Sequence, residues 1–422
     1  QPRKPSKDLE INLKMNKNWL SKGLSILGPG IVTAALVFGP SKMTITSKMG
    51  ADYGFELIWV IILAIFFMLI FTNMSARIGQ NNTDSLLTLI GKKIGKFGSI
   101  FIGAGIFLVA ISFQAGNSTG VGIAIGEATN TDAKIWIVVF NLAGILLLFF
   151  RSFYKVLEKV MLALVILMLF SFILTLILIQ PSFGHIADGL IPHIPTGSTG
   201  LIIAFIASCF SLVGAFYQSY LVQEKRRANA SSVHEKLSED KHAQLSSTIG
   251  ILILGVMSVV VLICAASVLH AKGLKVNSAS EMAMALEPLF GSNASHLFLI
   301  GLFGASFSSL IGNAALGGSM LGDAIRLKGN LNNNYVKMLI AIVMIFGAII
   351  SLIFSSLPLE LIVLAQSVTI FLVPFIGITI YWIANSEDIM GERKNNIFQK
   401  IVGMMGILLV IGLAVLNFKI LV

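Results

Sequence analysis

The sequence predicts an all-α polytopic membrane protein with eleven transmembrane helices. Hydrophobic residues make up 56% of the 422 residues, charged residues only 12%, and the mean hydropathy is +0.88. Charged residues make up about a quarter of a soluble domain, so this chain has too few of them to cover the surface of a water-soluble protein. The apolar residues also fall into eleven segments, most of which approach the roughly 20 residues that cross a bilayer as a helix.

Charge clusters and runs of Gly, Pro, Asn and Asp separate the predicted spans, and the fourth span is the shortest. The spans are Leu24–Met49, Phe55–Ile78, Gly98–Gly126, Ile135–Phe150, Val156–Ile179, Leu201–Val222, Ser246–Leu269, His296–Leu321, Val336–Phe354, Leu357–Ile383 and Phe398–Val422. Residues 1–23 are polar and basic without an apolar core, so we expect a cytosolic tail and no cleavable signal peptide.

The lysines and arginines predict the orientation of the chain. With a cytosolic amino terminus, twenty-four of the 30 basic residues lie on the cytosolic side, five lie outside, and Lys42 lies inside the first span. Cytosolic segments of membrane proteins are enriched in Lys and Arg. We therefore expect a multi-pass protein of a bacterial plasma membrane with its carboxyl terminus outside. The net charge of +10 then reflects the orientation of the chain and the attraction of its basic segments to anionic lipid, and no nucleic-acid partner is expected.

The loops and cysteines predict little chemistry. Cys209 and Cys264 both lie inside predicted spans, where we expect buried apolar thiols and no disulfide framework. The longest cytosolic loop, 224–242, is predicted to be a solvated connector because it mixes both charge signs. The outer loop 271–295 is expected to hold a short surface helix from Glu281 to Leu289.

One ionisable residue stands near the middle of the first span. Lys42 follows Gly39-Pro40, which interrupts the helical hydrogen-bond ladder at membrane depth. An irregular backbone there is tolerated only where it faces protein or a water-filled cavity, and an ionisable residue at that depth is a functional candidate. In the alternative interpretation, Pro40 makes a simple kink and Lys42 extends its amine outward to the membrane surface.

No acidic residue is placed to neutralise Lys42. All Asp, Glu and His residues fall in loops or within about a turn of a predicted span end. Lys42 is therefore deprotonated by burial, hydrated in a cavity, or paired with an anion that the protein does not encode. A divalent-cation site at the midplane and a proton relay both lack their usual ligands.

A set of motifs is spread over most of the chain: Gly28–Gly30, Gly39–Gly54, Leu57–Trp59, Ser75–Gly79, Arg151–Glu158, Leu221–Gln223, the Ser/Gly-rich eighth span, Ile362–Gln366 and Val373–Phe375. Together these motifs resemble the NRAMP family of divalent metal transporters. The resemblance implies two inverted five-helix repeats with broken first and sixth helices, similar to LeuT. The repeats would span 24–179 and 180–384, and residues 385–422 would hold the eleventh helix and its connecting loop.

The first span departs from the family at its metal motif. The family carries Asp-Pro-Gly-Asn where this chain has Gly39-Pro40-Ser41-Lys42. The resemblance therefore implies that the acidic ligand is replaced by glycine and the amide ligand by lysine.

The sixth, third and tenth spans follow the same pattern. Counting from Gly214-Ala215, the family's Met-Pro-His falls on Gln218-Ser219-Tyr220, although an anchor at Leu221–Gln223 would require a deletion. The family's Asp and Glu in the third span fall on Gln114 and Asn117. Gln366 matches a family glutamine, so the resemblance implies a retained cavity with altered chemistry.

We expect a secondary transporter that takes up a small bicarbonate-like or carboxylate anion, with or without a coupling ion. Half-helix amino termini attract anions, and Lys42 with polar neighbours would complete the pocket. Lys42 could also couple transport to protonation by losing and regaining its own proton. The candidate substrate-binding residues are Gly39, Pro40, Ser41, Lys42, Gln114, Asn117, Gln218, Ser219, Tyr220 and Gln366.

Two other functions stay open. The chain could carry Mn²⁺ or Mg²⁺ as in the wider family, with Ser, Gln, Tyr and backbone oxygens around a hydrated cation, although Lys42 would repel it. It could also sense or scaffold without transport. No nucleotide-binding loop or hydrolytic constellation occurs, so we expect no enzyme activity, no cofactor and no resident metal.

Overall fold

The computed structural model describes residues 38–149, 151–210, 216–229, 233–327, 333–354 and 358–421. Side chains are not described at 151–158, 224–229, 233–244, 246 and 421. Within these ranges the regular structure is helical and no strand occurs, which confirms the all-α class. The predicted tail 1–23, the Gly28–Gly30 motif and the Gly214-Ala215 anchor lie outside the described residues.

Seventeen α-helices follow one another in the described ranges. The first nine are α1 Pro40–Tyr53, α2 Ile58–Asn81, α3 Leu86–Thr129, α4 Ala133–Leu147, α5 Arg151–Ile179, α6 Phe183–Asp188, α7 Thr199–Phe210, α8 Gln218–Asn229 and α9 Val233–Val268. The other eight are α10 Ala279–Ala283, α11 Glu287–Phe290, α12 Ala294–Ala324, α13 Asn334–Ile353, α14 Pro358–Val368, α15 Val373–Asn385, α16 Glu387–Met390 and α17 Ile397–Leu421.

Each of the eleven predicted spans overlaps one or two of these helices, with residues 24–37 of the first span and 211–215 of the sixth outside the described residues. Seven helices in the described part of the chain are long and apolar enough to cross a membrane, and α14 with α15 makes an eighth. The first, fourth and sixth predicted spans correspond to shorter helices: α1, α4, and α7 with α8. The chain is a multi-pass membrane protein, and the number eleven and the repeat boundaries stay predictions.

Three predicted spans contain a helix start or a bend within the described residues. α1 begins at Pro40 after an extended Gly39, because proline suits the first helical position and lacks the N–H that would continue a helix. In the sixth span the described residues form α7 and α8, two helices of twelve residues each, and residues 211–215 between them are not described. The tenth span bends by 44° between the 3₁₀ turn Thr369–Phe371 and α15, where Pro374 follows the bend.

The structure corrects one predicted loop and supports another. The segment 224–242 is helical up to Asn229 and again from Val233 onward, so the prediction of a loop is wrong for most of its length, and its exposure to solvent stays a prediction. Its Ala, Glu, Lys, Arg and Leu residues are good helix formers, and charge alternation alone did not show this. The outer surface helix is present as α10, a 3₁₀ turn at Met284–Leu286, and α11.

The helix α1 lies inside the bundle. Its residues from Pro40 to Ala51 are buried with the exception of the partly buried Lys48. The helices α3, α7, α9, α12 and α14 pack around it. A helix that is covered on all sides cannot be a lipid-facing anchor, so its polar side chains face other helices.

We predict that Gly50→Ala destabilises the protein by about 1–3 kcal/mol, the cost of overpacking a close helix contact. A Cβ at Gly50 would overlap the carbonyl oxygen of Leu262 and lie 2.9 Å from the Cβ of Ala265 in α9. The measurement is the thermal unfolding midpoint in detergent. Gly312→Ala is the control, because nothing lies within 4 Å of its new Cβ and Ala favours a helix. Equal midpoints for the two variants would contradict the packing.

Candidate functional site

The helix break at the start of α1 is enclosed by polar side chains from three other helices. The Oγ of Ser41 accepts a 2.9 Å hydrogen bond from Nε2 of Gln366 in α14. A Cβ placed on Gly39 would lie 2.8 Å from Oγ of Ser309 in α12 and 4.0 Å from Oδ1 of Asn117 in α3. We call Gly39, Ser41, Asn117, Ser309 and Gln366 the break cluster.

The break cluster is buried, and one of its donors is unused. Asn117 and Gln366 are each 2% exposed. Among the described residues, Nδ2 of Asn117 has no hydrogen-bond partner. A buried amide N–H without a partner costs about 1–3 kcal/mol. This donor, beside the open end of a helix, therefore favours a ligand that offers an acceptor.

Lys42 lies at the same break but its amine is directed to α7. Nζ donates to Oγ of Ser208 at 2.7 Å and lies 2.6 Å from Sγ of Cys209. It also lies 4.0 Å from the centroid of the Phe205 ring. The side chain is 2% exposed, so in this conformation the lysine does not extend to the membrane surface.

The described residues place no carboxylate within ion-pair distance of Lys42. Its partners are a hydroxyl, a thiol and an aromatic face. Cys209 is buried, as predicted, and it contacts the lysine amine as well as apolar side chains.

Gln114 belongs to a different polar group, between α3 and α4. Its Nε2 lies 3.5 Å from Oδ1 of Asn141 in α4, and Asn141 donates to Oγ of Ser118 at 3.0 Å. The Oε1 of Gln114 has no partner among the described residues. Gln114 and Asn117 are three positions apart in the sequence, yet the structure brings only Asn117 to the break cluster.

The candidates on α8 connect this helix to α2, α3 and α12. The backbone N–H of Ser219 donates to Oγ of Ser75 in α2 at 3.2 Å. The hydroxyl of Tyr220 donates to Oδ2 of Asp323 in α12 at 2.8 Å and accepts from the backbone N–H of Leu87 at 3.3 Å. Gln218 is buried beside them. None of the described bonds connects these residues to the break cluster.

Sequence reasoning missed three residues around the break. Ser309, Ser208 and Cys209 are contributed by α12 and α7, and no motif singled them out. The Ser/Gly-rich composition of the eighth span was the one available signal for Ser309. The contact between Lys42 and Cys209 depends on how α1 is rotated against α7, which a sequence pattern does not fix.

The described residues contain no group of three or more His, Cys, Asp or Glu side chains that could hold a metal ion. The break cluster supplies amides and hydroxyls, and Lys42 supplies an amine. These groups carry more hydrogen-bond donors, that is N–H and O–H groups, than a cation-binding site uses. A hydrated cation would have to rely on the few amide, hydroxyl and backbone oxygens.

A helical bundle with broken spans around a buried polar site defines a multi-pass membrane transporter. The sequence profile described as "Natural resistance-associated macrophage protein-like" matches residues 30–419. The chain therefore belongs to the Nramp family of membrane transporters, as the motifs predicted.

Relatives and solved structures agree with this family. The chain is 25% identical over 407 residues to the divalent metal cation transporter MntH of Clostridium acetobutylicum, covering 94% of this chain and 91% of that protein. It is 24% identical over 373 residues to MntH of Deinococcus radiodurans, covering 87% and 83%.

Among solved structures, the Eremococcus coleocola manganese transporter matches with a TM-score of 0.70 and 20% identity, covering 94% of this chain and 86% of that chain. Mhp1, a nucleobase-cation-symport-1 family transporter, matches with a TM-score of 0.57 and 15% identity over 93% and 92%. These likenesses confirm a LeuT-like transporter fold.

We predict a coupling free energy of about 1 kcal/mol between Ser41 and Gln366, the net contribution of a buried hydrogen bond. The test is a double-mutant cycle with Ser41→Ala and Gln366→Leu, in which unfolding by a denaturing detergent is measured. Ser41→Ala with Gln114→Leu is the control cycle, because no hydrogen bond joins those residues. Additive effects in the first cycle would contradict the bond.

Proposed function

We propose that this Nramp-family transporter carries a small anion, such as bicarbonate or a short carboxylate. The observation that carries the proposal is the chemistry of the helix break: a buried lysine and an unpaired amide donor lie there, and the described residues provide no carboxylate. Residues 24–37 and 211–215, which are not described, contain no charged residue or histidine in the sequence either.

Electrostatics favours an anion at this break. The backbone N–H groups of the first turn of a helix carry partial positive charge, and α1 begins here without a side-chain cap. The break cluster adds the Asn117 amide, and Lys42 adds a positive charge when protonated. A divalent cation at the same place would be repelled by the helix end and by Lys42.

The anion would bind between the break cluster and Lys42. In the described conformation the amine contacts α7 and Ser41 is bonded to Gln366. Lys42 has a flexible four-carbon stem, so rotation of that stem would bring the amine to the Ser41 side of α1. Gly39, Pro40, Ser41, Lys42, Asn117 and Gln366 are the proposed binding residues. Gln114, Gln218, Ser219 and Tyr220 would act through helix packing in this conformation.

A divalent metal is the second candidate. The relatives named above are metal transporters, and this favours Mn²⁺ or Mg²⁺ as the substrate. The oxygens of Ser41, Asn117, Ser309 and Gln366 could surround a hydrated cation. Cation transport would require an uncharged Lys42. The contacts of Lys42 with a hydroxyl, a thiol and a ring face do not by themselves require an uncharged amine.

We also propose the orientation that the basic residues predict, with the amino terminus in the cytosol of a bacterial cell and the carboxyl terminus outside. The positive-inside distribution supports it. Lipid and a small ionic solute are the proposed partners. Loss and return of one proton at Lys42 would couple transport to the proton gradient.

We predict that formate, acetate or bicarbonate raises the thermal midpoint of the purified protein and that Lys42→Ala abolishes this rise. A ligand of the folded state at one hundred times its dissociation constant stabilises by about 2.7 kcal/mol. The measurement is a thermal-shift screen of both proteins against these anions and against Mn²⁺ and Mg²⁺.

Lys48→Ala is the matched control in this screen. Lys48 lies six residues further along α1 and donates to the backbone oxygen of Val276 at 2.8 Å, away from the break. This variant should keep the anion response. Stabilisation of the wild type by Mn²⁺ or Mg²⁺, with no response to anions, would contradict anion transport and support the metal alternative.

A further inference from the structure

The helix α3 is bent sharply near its amino-terminal end. It contains 44 residues, and a straight helix of that length would measure about 66 Å, roughly twice the apolar thickness of a bilayer. Gly95 interrupts it with a φ of 84°, a conformation that favours glycine. The Oγ of Ser99 donates to the backbone oxygen of Leu87 at 2.8 Å, although a straight helix would separate these residues by about 18 Å. The segment before Gly95 therefore folds back against the segment after it.

The outside of this bend carries lysines and an exposed ring. We call the residues Lys92–Phe97 the α3 bend. The side chain of Phe97 is 83% exposed. Lys93 pairs with Asp388 at 3.1 Å, whereas Lys96 is exposed and has no ion pair or hydrogen bond among the described residues. The α3 bend therefore keeps an unpaired positive charge beside an exposed aromatic side chain.

An exposed apolar surface leads from the α3 bend along α3 and α15. The rings of Phe101 in α3 and Phe375 in α15 contact each other, with their centroids 5.5 Å apart and their planes at 80°. Both rings are nearly half exposed. Ile378 and Trp382 are also exposed and continue this surface along one face of α15. We call Phe97, Phe101, Phe375, Ile378 and Trp382 the aromatic surface.

The polar ends of α3 and α15 meet at the α3 bend. Nζ of Lys93 donates to Oγ of Ser386 at 3.2 Å, and Ser386 is the residue that caps the end of α15. Trp382 lies one turn before that end. Lysine and tryptophan side chains are typical of the boundary between the apolar core of a membrane and its lipid headgroups. The α3 bend therefore lies at the level of the headgroups, and the contact between Phe101 and Phe375 lies on the apolar side of them.

We propose that an anionic phospholipid binds here, with its phosphate at Lys93 and Lys96 and its acyl chains on the aromatic surface. Lys96 precedes Phe101 by five residues, about 7.5 Å along a helix. A phosphate held by Lys96 therefore leaves the acyl chains beside the ring of Phe101. This site is separate from the break cluster and does not depend on which ion the protein transports.

The charges at the α3 bend favour an anionic lipid over a zwitterionic one. The carboxylate of Asp84 is paired with Lys92 at 2.5 Å and leaves Lys96 free. Asp388 is 84% exposed, and an exposed ion pair adds little stability, so a phosphate can replace Asp388 at Lys93. A zwitterionic lipid would bring its own cationic group to the same place, and Lys96 would repel that group.

The extent of the aromatic surface favours a lipid over a protein partner. The exposed side of α3 continues from Phe97 through Phe101 to Leu108, which is 57% exposed and lies in the membrane-spanning part of the helix. A soluble protein would reach only the α3 bend. A phospholipid spans both regions, because its phosphate remains among the headgroups while its acyl chains enter the apolar core.

The test uses brominated phospholipids, which quench the fluorescence of a tryptophan that they contact. The purified full chain is placed in phosphatidylcholine vesicles that contain a small fraction of brominated phosphatidylglycerol or, in the matched sample, of brominated phosphatidylcholine. The phosphatidylglycerol should quench the wild type more strongly, and Trp382→Phe should lose this difference. Equal quenching of the wild type by the two lipids would overturn the proposal, and so would a difference that Trp382→Phe retains.

Charge variants separate a phosphate site from general attraction to an anionic membrane. Lys96→Gln should lower the preference for phosphatidylglycerol about fivefold, the effect of one lysine at a membrane surface. Asp388→Asn should raise the preference, because Lys93 then loses its competing carboxylate. The control is Lys134→Gln at the exposed start of α4, which should keep the wild-type preference. An unchanged preference in Lys96→Gln, or equal losses in the two lysine variants, would overturn the proposal.

Discussion

The burial of one lysine amine at a helix break is the interaction on which the site depends. A charge at membrane depth is stable only where the protein supplies partners, and here the partners are the last turn of α7 and the ring of Phe205. The helix start two residues before Lys42 also leaves the first backbone N–H groups of α1 without carbonyl partners in the helix. In our proposal, the same backbone feature sets the position of the lysine and favours an anion at the break.

The packing around α1 makes this arrangement possible. The helix is enclosed by α3, α7, α9, α12 and α14, so its polar residues contact other helices and not lipid. The close approach of α3 depends on small residues: a Cβ at Gly120 would lie 2.7 Å from Cβ of Pro40. Asn117, one turn earlier on α3, is consequently held beside Gly39. Gln366, in the last turn of α14, donates a hydrogen bond to Ser41.

The sequence predicted the helical class, the helix positions and the unusual lysine because each depends on local composition. Apolar length indicates a span, Gly39-Pro40 indicates a break, and the absence of acids is a property of the sequence itself. The direction of each side chain depends on how helices rotate against one another. Gln114 and Asn117 therefore looked equivalent, although one contacts Asn141 and the other lies at the break cluster. Cys209 was expected to be an apolar thiol for the same reason.

The family relationship and the site chemistry point to different substrates, and a transport measurement decides between them. The wild-type protein in sealed vesicles is given radiolabelled formate and radiolabelled Mn²⁺ together, with an inward proton gradient. Our account predicts accumulation of formate that collapses with the gradient, and no accumulation of Mn²⁺ above protein-free vesicles. Accumulation of Mn²⁺ without formate would contradict it, because the site would then bind a cation beside Lys42.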